Sequence, residues 1–295
     1  MGIGYAWVVL LLGLNLLLVP GTKLHSDSVT KYAPRKSLEY ASKGPQTTPR
    51  LFEGDIVGFN PFHRNALADS TKLWRGGFIP VKLDQTLSSR ELISIQNAML
   101  TISRQTCVRF MLRTNHPDFV FIRKSKSKCY SFFGRKGGKQ DLNLTSGCLR
   151  YEHLIIHELM HALGFVHEHS RPDRDHYIDI HPENIRQGNL KDFEKLPVFI
   201  LYDLGAPYDV NSILHYEKDA FSKNGKPTIT PKDPSVTLGN TRMSTWDVVK
   251  INRLYRCSGD QYDIAGPKMP PPPHDQHQTP AHHVPPVGSL LHGVL

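Results

Sequence analysis

Residues 157 to 167 read His-Glu-Leu-Met-His-Ala-Leu-Gly-Phe-Val-His, and no other stretch limits the possible folds of this chain so strongly. Two imidazoles four residues apart on a helix lie about 40° apart around the axis and about 6 Å apart along it, so His157 and His161 can reach one metal ion. Gly164 tolerates the positive φ that ends a helix, which turns the chain so that His167 approaches the same ion from a second direction. Three neutral ring nitrogens leave a fourth position for water, a donor set that suits one zinc ion held at about 2.0–2.1 Å. Glu158, beside the first ligand, is placed to accept the proton of that water. A histidine-rich helix without metal is the plain alternative. Three His, one Glu and one Gly together at this spacing argue against it.

The rest of the composition suits an exported protein. Residues 5 to 20 form an apolar run without charge, too short for a comfortable membrane span, and are read as the core of a signal peptide covering residues 1–21 rather than as a membrane anchor. The net charge of +9 is dispersed: residues 22–64 hold 7 basic and 4 acidic side chains, and residues 65–263 hold 28 and 22. Without a block of like charge, no nucleic-acid footprint is expected. Four cysteines in an oxidising compartment imply two disulfides, for which the sequence alone allows three pairings. Asn143-Leu144-Thr145 is the one glycosylation sequon. After residue 262 the chain turns Pro-rich and His-rich, a composition that cannot bury a core, so residues 263–295 are expected to form a solvated, disordered tail.

With Phe165, Glu168, Arg171, Asp173, Arg174 and Asp175, the motif extends to H-E-L-M-H-A-L-G-F-V-H-E-H-S-R-P-D-R-D, which resembles the zinc signature of the astacin family of metzincin metalloproteases. Ser212-Ile213-Leu214-His215-Tyr216 resembles a second landmark of that family, a tight S-x-M-H-Y turn beneath the metal. Leu214 stands where the family has Met. The resemblance makes that side chain an apolar platform, so the swap should cost under about 1.5 kcal/mol. It also implies that the Tyr216 phenol moves between metal and oxyanion. The same resemblance selects Cys107 with Cys257 and Cys129 with Cys148 as the disulfide pairs, the second closing a loop worth roughly 3 kcal/mol in the chain-entropy picture.

Residues 22–64 are polar and lack a periodic apolar face, and are read as a pro-segment. Within them Phe52-Glu53-Gly54-Asp55 resembles the F-x-G-D element by which zymogens of this family place an aspartate, here Asp55, on the zinc. Arg64-Asn65 is the candidate activation bond, to be cut by another protease. By resemblance, the new N-terminus at Asn65 then meets Glu168 inside the domain through water. An Arg171–Glu168 pair at i,i+3 is the ordinary alternative for that carboxylate.

Helical spacing of Leu92, Ile95, Met99 and Ile102 predicts a helix over 89–105, alternation of Val108, Phe110 and Leu112 with Arg109, Met111 and Arg113 predicts a strand, and 119–123 reads as another strand. The zinc helix is expected over about 149–163. Ser244-Thr245-Trp246-Asp247 has capping-box spacing before a last helix. Frequent Pro and Gly between these helices predict an irregular second half. The resemblance implies an α+β fold, with a twisted, mostly parallel sheet and helices above an active-site cleft and an irregular subdomain below. The expectation is a monomeric, secreted zinc endopeptidase acting on proteins or peptides, its peptidase domain spanning residues 65–262. A secreted, non-catalytic zinc-binding protein of the same fold is the competing reading, and the presence of Glu158 with all three histidines tells against it.

Overall fold

The computed structural model describes residues 49–61, 70–197 and 204–257. The expected signal peptide, the Arg64-Asn65 bond and the Pro/His-rich tail lie outside the described residues. The chain begins, among those described, with two short strands, β1 (Leu51–Phe52) and β2 (Ile56–Val57), paired antiparallel. These belong to the same compact unit as the rest of the described chain. The expected lack of an apolar face therefore fails locally: Ile56, Val57 and Phe59 are buried and form a small core with Phe133 and Leu196. The rings of Phe52, Phe59 and Phe133 follow one another at 4.8 Å.

The main sheet comes next. β3 (Phe78–Leu83) leads into α1 (Ser89–Gln105) and then β4 (Arg109–Leu112), and the sheet is completed by β5 (Phe119–Ser125) and β7 (Lys139–Thr145), with β6 (Ser131–Phe132) between them in sequence. The order β4-β3-β5-β7 is parallel throughout. Helix α1 starts at a capping box in which Ser88 and Glu91 satisfy each other's backbone amides. Its apolar stripe of Ile95, Ala98 and Ile102 is buried in the main core with Ile79, Val81, Val120, Ile122, Leu142 and Leu144 from the sheet. Each large aliphatic side chain in that cluster contributes about 1.5–3 kcal/mol by leaving water.

β4 forms where the alternation predicts a strand, but it is an edge strand, and its last residue, Leu112, is 74% exposed. Asn143 lies in β7 with its backbone bridged to Tyr130, is 5% exposed, and its side-chain nitrogen is buried. The sequon thus lies within the packed sheet.

The zinc helix, α2, runs over Glu152–Leu163, preceded by a single 3-10 turn at Cys148–Arg150 in place of the expected first helical residues. Beyond it, as Pro and Gly spacing predicts, the described chain has 3-10 turns and one antiparallel pair, β8 (Ile178–Ile180) with β9 (Ile229–Pro231), around a second core that includes Tyr208 and Tyr216. The last helix, α3 (Thr245–Tyr255), begins at the Ser244–Asp247 capping box. Cys107–Cys257 ties its end to the start of β4, and Cys129–Cys148 ties the approach to β6 to the turn before α2.

Candidate metal centre

Helix α2 is fastened carbonyl by carbonyl at the end that carries the motif. Gly164 takes a left-handed conformation, φ 102°, and its N–H caps the helix on His161 and Met160. Gly134 N–H also donates to the His161 carbonyl at 2.9 Å, Trp74 Nε1 to Ala162 at 2.9 Å and Tyr255 Oη to Leu163 at 3.0 Å. The terminal carbonyls that a helix leaves unpaired are thus satisfied from three other parts of the chain. The helix cannot fray, and His157 and His161 project from a fixed frame.

Each of the three candidate ligand rings is oriented by its second nitrogen. His157 Nδ1 is 2.9 Å from the Ile213 carbonyl, His161 Nδ1 is 2.8 Å from the Phe165 carbonyl, and His167 Nδ1 is 2.8 Å from Glu53 Oε2. All three partners accept, so each Nδ1 carries the proton and each Nε2 is the atom offered to a cation. The Nε2 atoms of His161 and His167 lie 3.0 and 3.2 Å from that of His157. Asp55 closes the figure, with carboxylate oxygens 3.3, 3.6 and 3.4 Å from His157, His161 and His167. A tetrahedron with bonds of about 2.0–2.1 Å has edges of about 3.3–3.4 Å. The three nitrogens and the Asp55 carboxylate, whose Oδ2 faces His157 and His167 and whose Oδ1 faces His161, come close to those edges and fit one zinc ion. Among the described residues, these four form the group whose ligand atoms lie close enough together to hold a metal ion.

Electrostatics agree with that donor set. Burial would raise the Asp55 carboxyl, but His167, His157 and His161 outweigh it and hold Asp55 well below its ordinary range. Burial favours the neutral ring of His161. It would do the same for His167, yet Asp55 and Glu53 on either side raise that ring to about 10, so without metal His167 holds a second proton that a cation must displace.

Asp55 is delivered by a turn that demands glycine at residue 54. Gly54 has φ 88°, and a Cβ there would meet the Phe221 ring at 2.8 Å. The hairpin of β1 and β2 is extended by β6, which pairs parallel with β2. Glu53 also has positive φ, 48°, an unfavourable conformation for a side chain with Cβ. It is held by His167 on its carboxylate and by the Tyr216 hydroxyl, which donates to its backbone carbonyl.

Glu158, one residue from His157, is buried, and its Oε2 has no hydrogen-bond partner among the described residues. Burial and the Asp55 charge raise its carboxyl well above the ordinary range. Tyr216 lies with its ring centroid 4.6 Å from that of His167 and 3.8 Å from that of His169, stacked on the latter. Leu214 is buried in the main core, and its carbonyl accepts from Glu168 N–H. Its turn is secured from α3: Asp247, the capping residue, accepts from Ser212 Oγ at 2.6 Å and Ile213 N–H at 2.9 Å. Glu168 is buried rather than superficial, pairing with Lys250 at 2.6 Å and Arg171 at 3.3 Å and accepting from Asp209 N–H. Its expected partner, Asn65, lies outside the described residues, as does Arg64.

Sequence reasoning missed Glu53, Lys250 and His169. Glu53 and Lys250 act across 114 and 82 residues, where no spacing rule operates. His169 had only its place within the extended motif to announce it.

Known proteins resemble the chain over this same region. Residues 66–256 match the peptidase family described as Astacin. The chain is 41% identical over 212 residues to Zinc metalloproteinase nas-14 of Caenorhabditis elegans, a match to 70% of this chain and 42% of that protein. It is 44% identical over 208 residues to nas-7 of the same organism, 70% of this chain and 54% of that one. It therefore spans about half the length of these two relatives. High choriolytic enzyme 1 of Oryzias latipes is 42% identical over 221 residues, 72% of this chain and 80% of that enzyme. The solved structure of that hatching enzyme zinc-protease shares the fold, with a TM-score of 0.60 at 42% identity over 64% of this chain and 96% of that one.

Proposed function

The chain belongs to the astacin family of peptidases, and from that premise we propose that it is a secreted zinc endopeptidase made as a zymogen. The observation that carries this reading is the convergence of three Nε2 atoms, each ring oriented through Nδ1, beside a buried Glu158. When bound, zinc supplies a Lewis acid and brings the pKa of its water towards about 7. Glu158 accepts the proton of the attacking water and passes it to the leaving amine. Tyr216, once its hydroxyl is no longer engaged by Glu53, donates to the oxyanion of the substrate.

In the uncut chain Asp55 takes the position of the water, and residues 22–64 act as the pro-segment. Cutting after Arg64 by another protease releases it and creates the ammonium of Asn65, for which Glu168 is the internal partner. Residues 1–21 serve export, and 65–262 form the peptidase domain acting, as a monomer, on proteins or peptides outside the cell. The test uses chain processed after Arg64, loaded with one zinc, on an unfolded protein substrate. Wild type should cleave it, and Glu158→Ala should keep the metal while kcat falls about 10²–10⁴-fold. A zinc-loaded Glu158→Ala chain with near-normal turnover, or a loaded wild type with none, overturns the proposal.

A further inference from the structure

The three ligand histidines are not oriented by equivalent means. His157 and His161 donate through Nδ1 to the carbonyls of Ile213 and Phe165, both in the body of the domain. His167 donates to the side chain of Glu53, which stands two residues before Asp55 on the β1–β2 hairpin. Both members of this contact are shielded from solvent, Glu53 being 1% exposed and His167 fully buried. The backbone at Glu53 is held in a positive-φ conformation that is unfavourable for a residue with a Cβ, and it persists because both ends of the residue are engaged. Its carbonyl receives the Tyr216 hydroxyl and its carboxylate receives His167.

A carboxylate on the far nitrogen of a ligating imidazole fixes the tautomer, locks the ring plane and strengthens the metal bond, and losing such a partner typically costs 10–100-fold in metal affinity. We infer that Glu53 is a metal-positioning residue of the uncut chain, so that the pro-segment clamps zinc from two sides, through Asp55 on the ion and through Glu53 on the outer nitrogen of His167. Removing the segment removes both. The uncut chain is then the form that takes up and retains zinc, and the processed form holds it more loosely, because one of its three rings has lost its partner. This rests on reading residues 22–64 as a removable pro-segment.

The experiment follows metal rather than turnover. Full-length chain carrying Arg64→Gln, so that it stays uncut, is loaded with one zinc, and release to excess 4-(2-pyridylazo)resorcinol is timed for this parent and for versions with Glu53→Gln or Glu53→Ala added. Release should accelerate about 10–100-fold with Glu53→Ala and less with Glu53→Gln, whose amide oxygen still accepts from His167. The absorption spectrum of cobalt-loaded chain should shift in the same order. Amide hydrogen exchange at β2 and β6 reports whether the hairpin stays docked. Equal release from the parent and Glu53→Ala overturns the inference. Accelerated release with those amides unprotected overturns it too, since Asp55 has then left with the strand. With Arg64 restored, the three chains after cutting are the same molecule and should release zinc alike, faster than the uncut parent; processed chain that retains zinc as firmly as the uncut form also overturns it. A parent chain that takes up no zinc at all refutes the proposed function instead.

Discussion

Helix α2 and the β1–β2 hairpin reach the same centre from opposite sides and are built in opposite ways. The helix is held by buried apolar packing and by hydrogen bonds to its last carbonyls from Trp74, Gly134 and Tyr255. The hairpin has two strands of two residues each, one strand partner in β6 and a small core of its own. One side is tied into the main core and the other is attached through a small satellite core and a few hydrogen bonds, as the proposed role of a removable segment requires. Local free energies of opening differ within one protein in this way, according to buried apolar contact and hydrogen bonding.

The largest effect should come from cutting the attached side's link to the metal. With Arg64 blocked, Asp55→Ala should turn a silent uncut chain into one with measurable turnover. Activity should stay about 10²-fold below the processed enzyme, because Glu53 still engages the Tyr216 hydroxyl. Initial rates on one peptide decide it. If both uncut chains are equally silent with one zinc bound, steric cover by the hairpin accounts for latency without Asp55.

The side tied into the main core is probed through Glu168, next to the third ligand. Lys250→Met leaves this buried carboxylate with Arg171 and the Asp209 amide and should cost about 3 kcal/mol, the low end for a broken buried pair. The ammonium of Asn65 can take the vacated place, so urea unfolding should show a smaller loss in processed chain than in uncut chain. Equal losses would remove Asn65 as the partner of Glu168.

Gly54→Ala attacks the hairpin again. A Cβ at φ 88° that meets Phe221 at 2.8 Å should weaken docking by about 1–3 kcal/mol. Faster proteolysis of residues 49–61 with an unchanged melting temperature of the processed domain is the expected pattern. Protection equal to wild type would show that Phe221 yields. The smallest effect belongs to the floor of the core-tied side, where Leu214→Met keeps volume in a buried site and should change kcat/KM less than tenfold, within about 1.5 kcal/mol. A larger gain would show that Leu214 impairs this enzyme.

What the chain announces by itself is what depends on near neighbours. The i,i+4 histidines, the glycine that ends their helix, the apolar stripe of α1 and the capping box at Ser244 are set by helical geometry, and they lie where spacing places them. The F-E-G-D element was legible through resemblance, as was the pairing of the four cysteines. Tertiary structure alone decided what depends on distant partners. Asp247 is recognisable as a capping residue, yet its hold on Ser212 and Ile213 appears only when α3 packs beneath the metal turn. Leu112 and Asn143 show the same limit: alternation and a sequon are local signals, and neither says that Leu112 lies exposed on an edge strand or that Asn143 lies buried in β7 beside Tyr130. Glu53 resembles a solvated turn residue in a polar segment, and its place against His167 exists only because β2 pairs with β6, 75 residues further along. A helix or a cap lowers its free energy through contacts within a few residues, whereas burial and ligand orientation are properties of the packed whole.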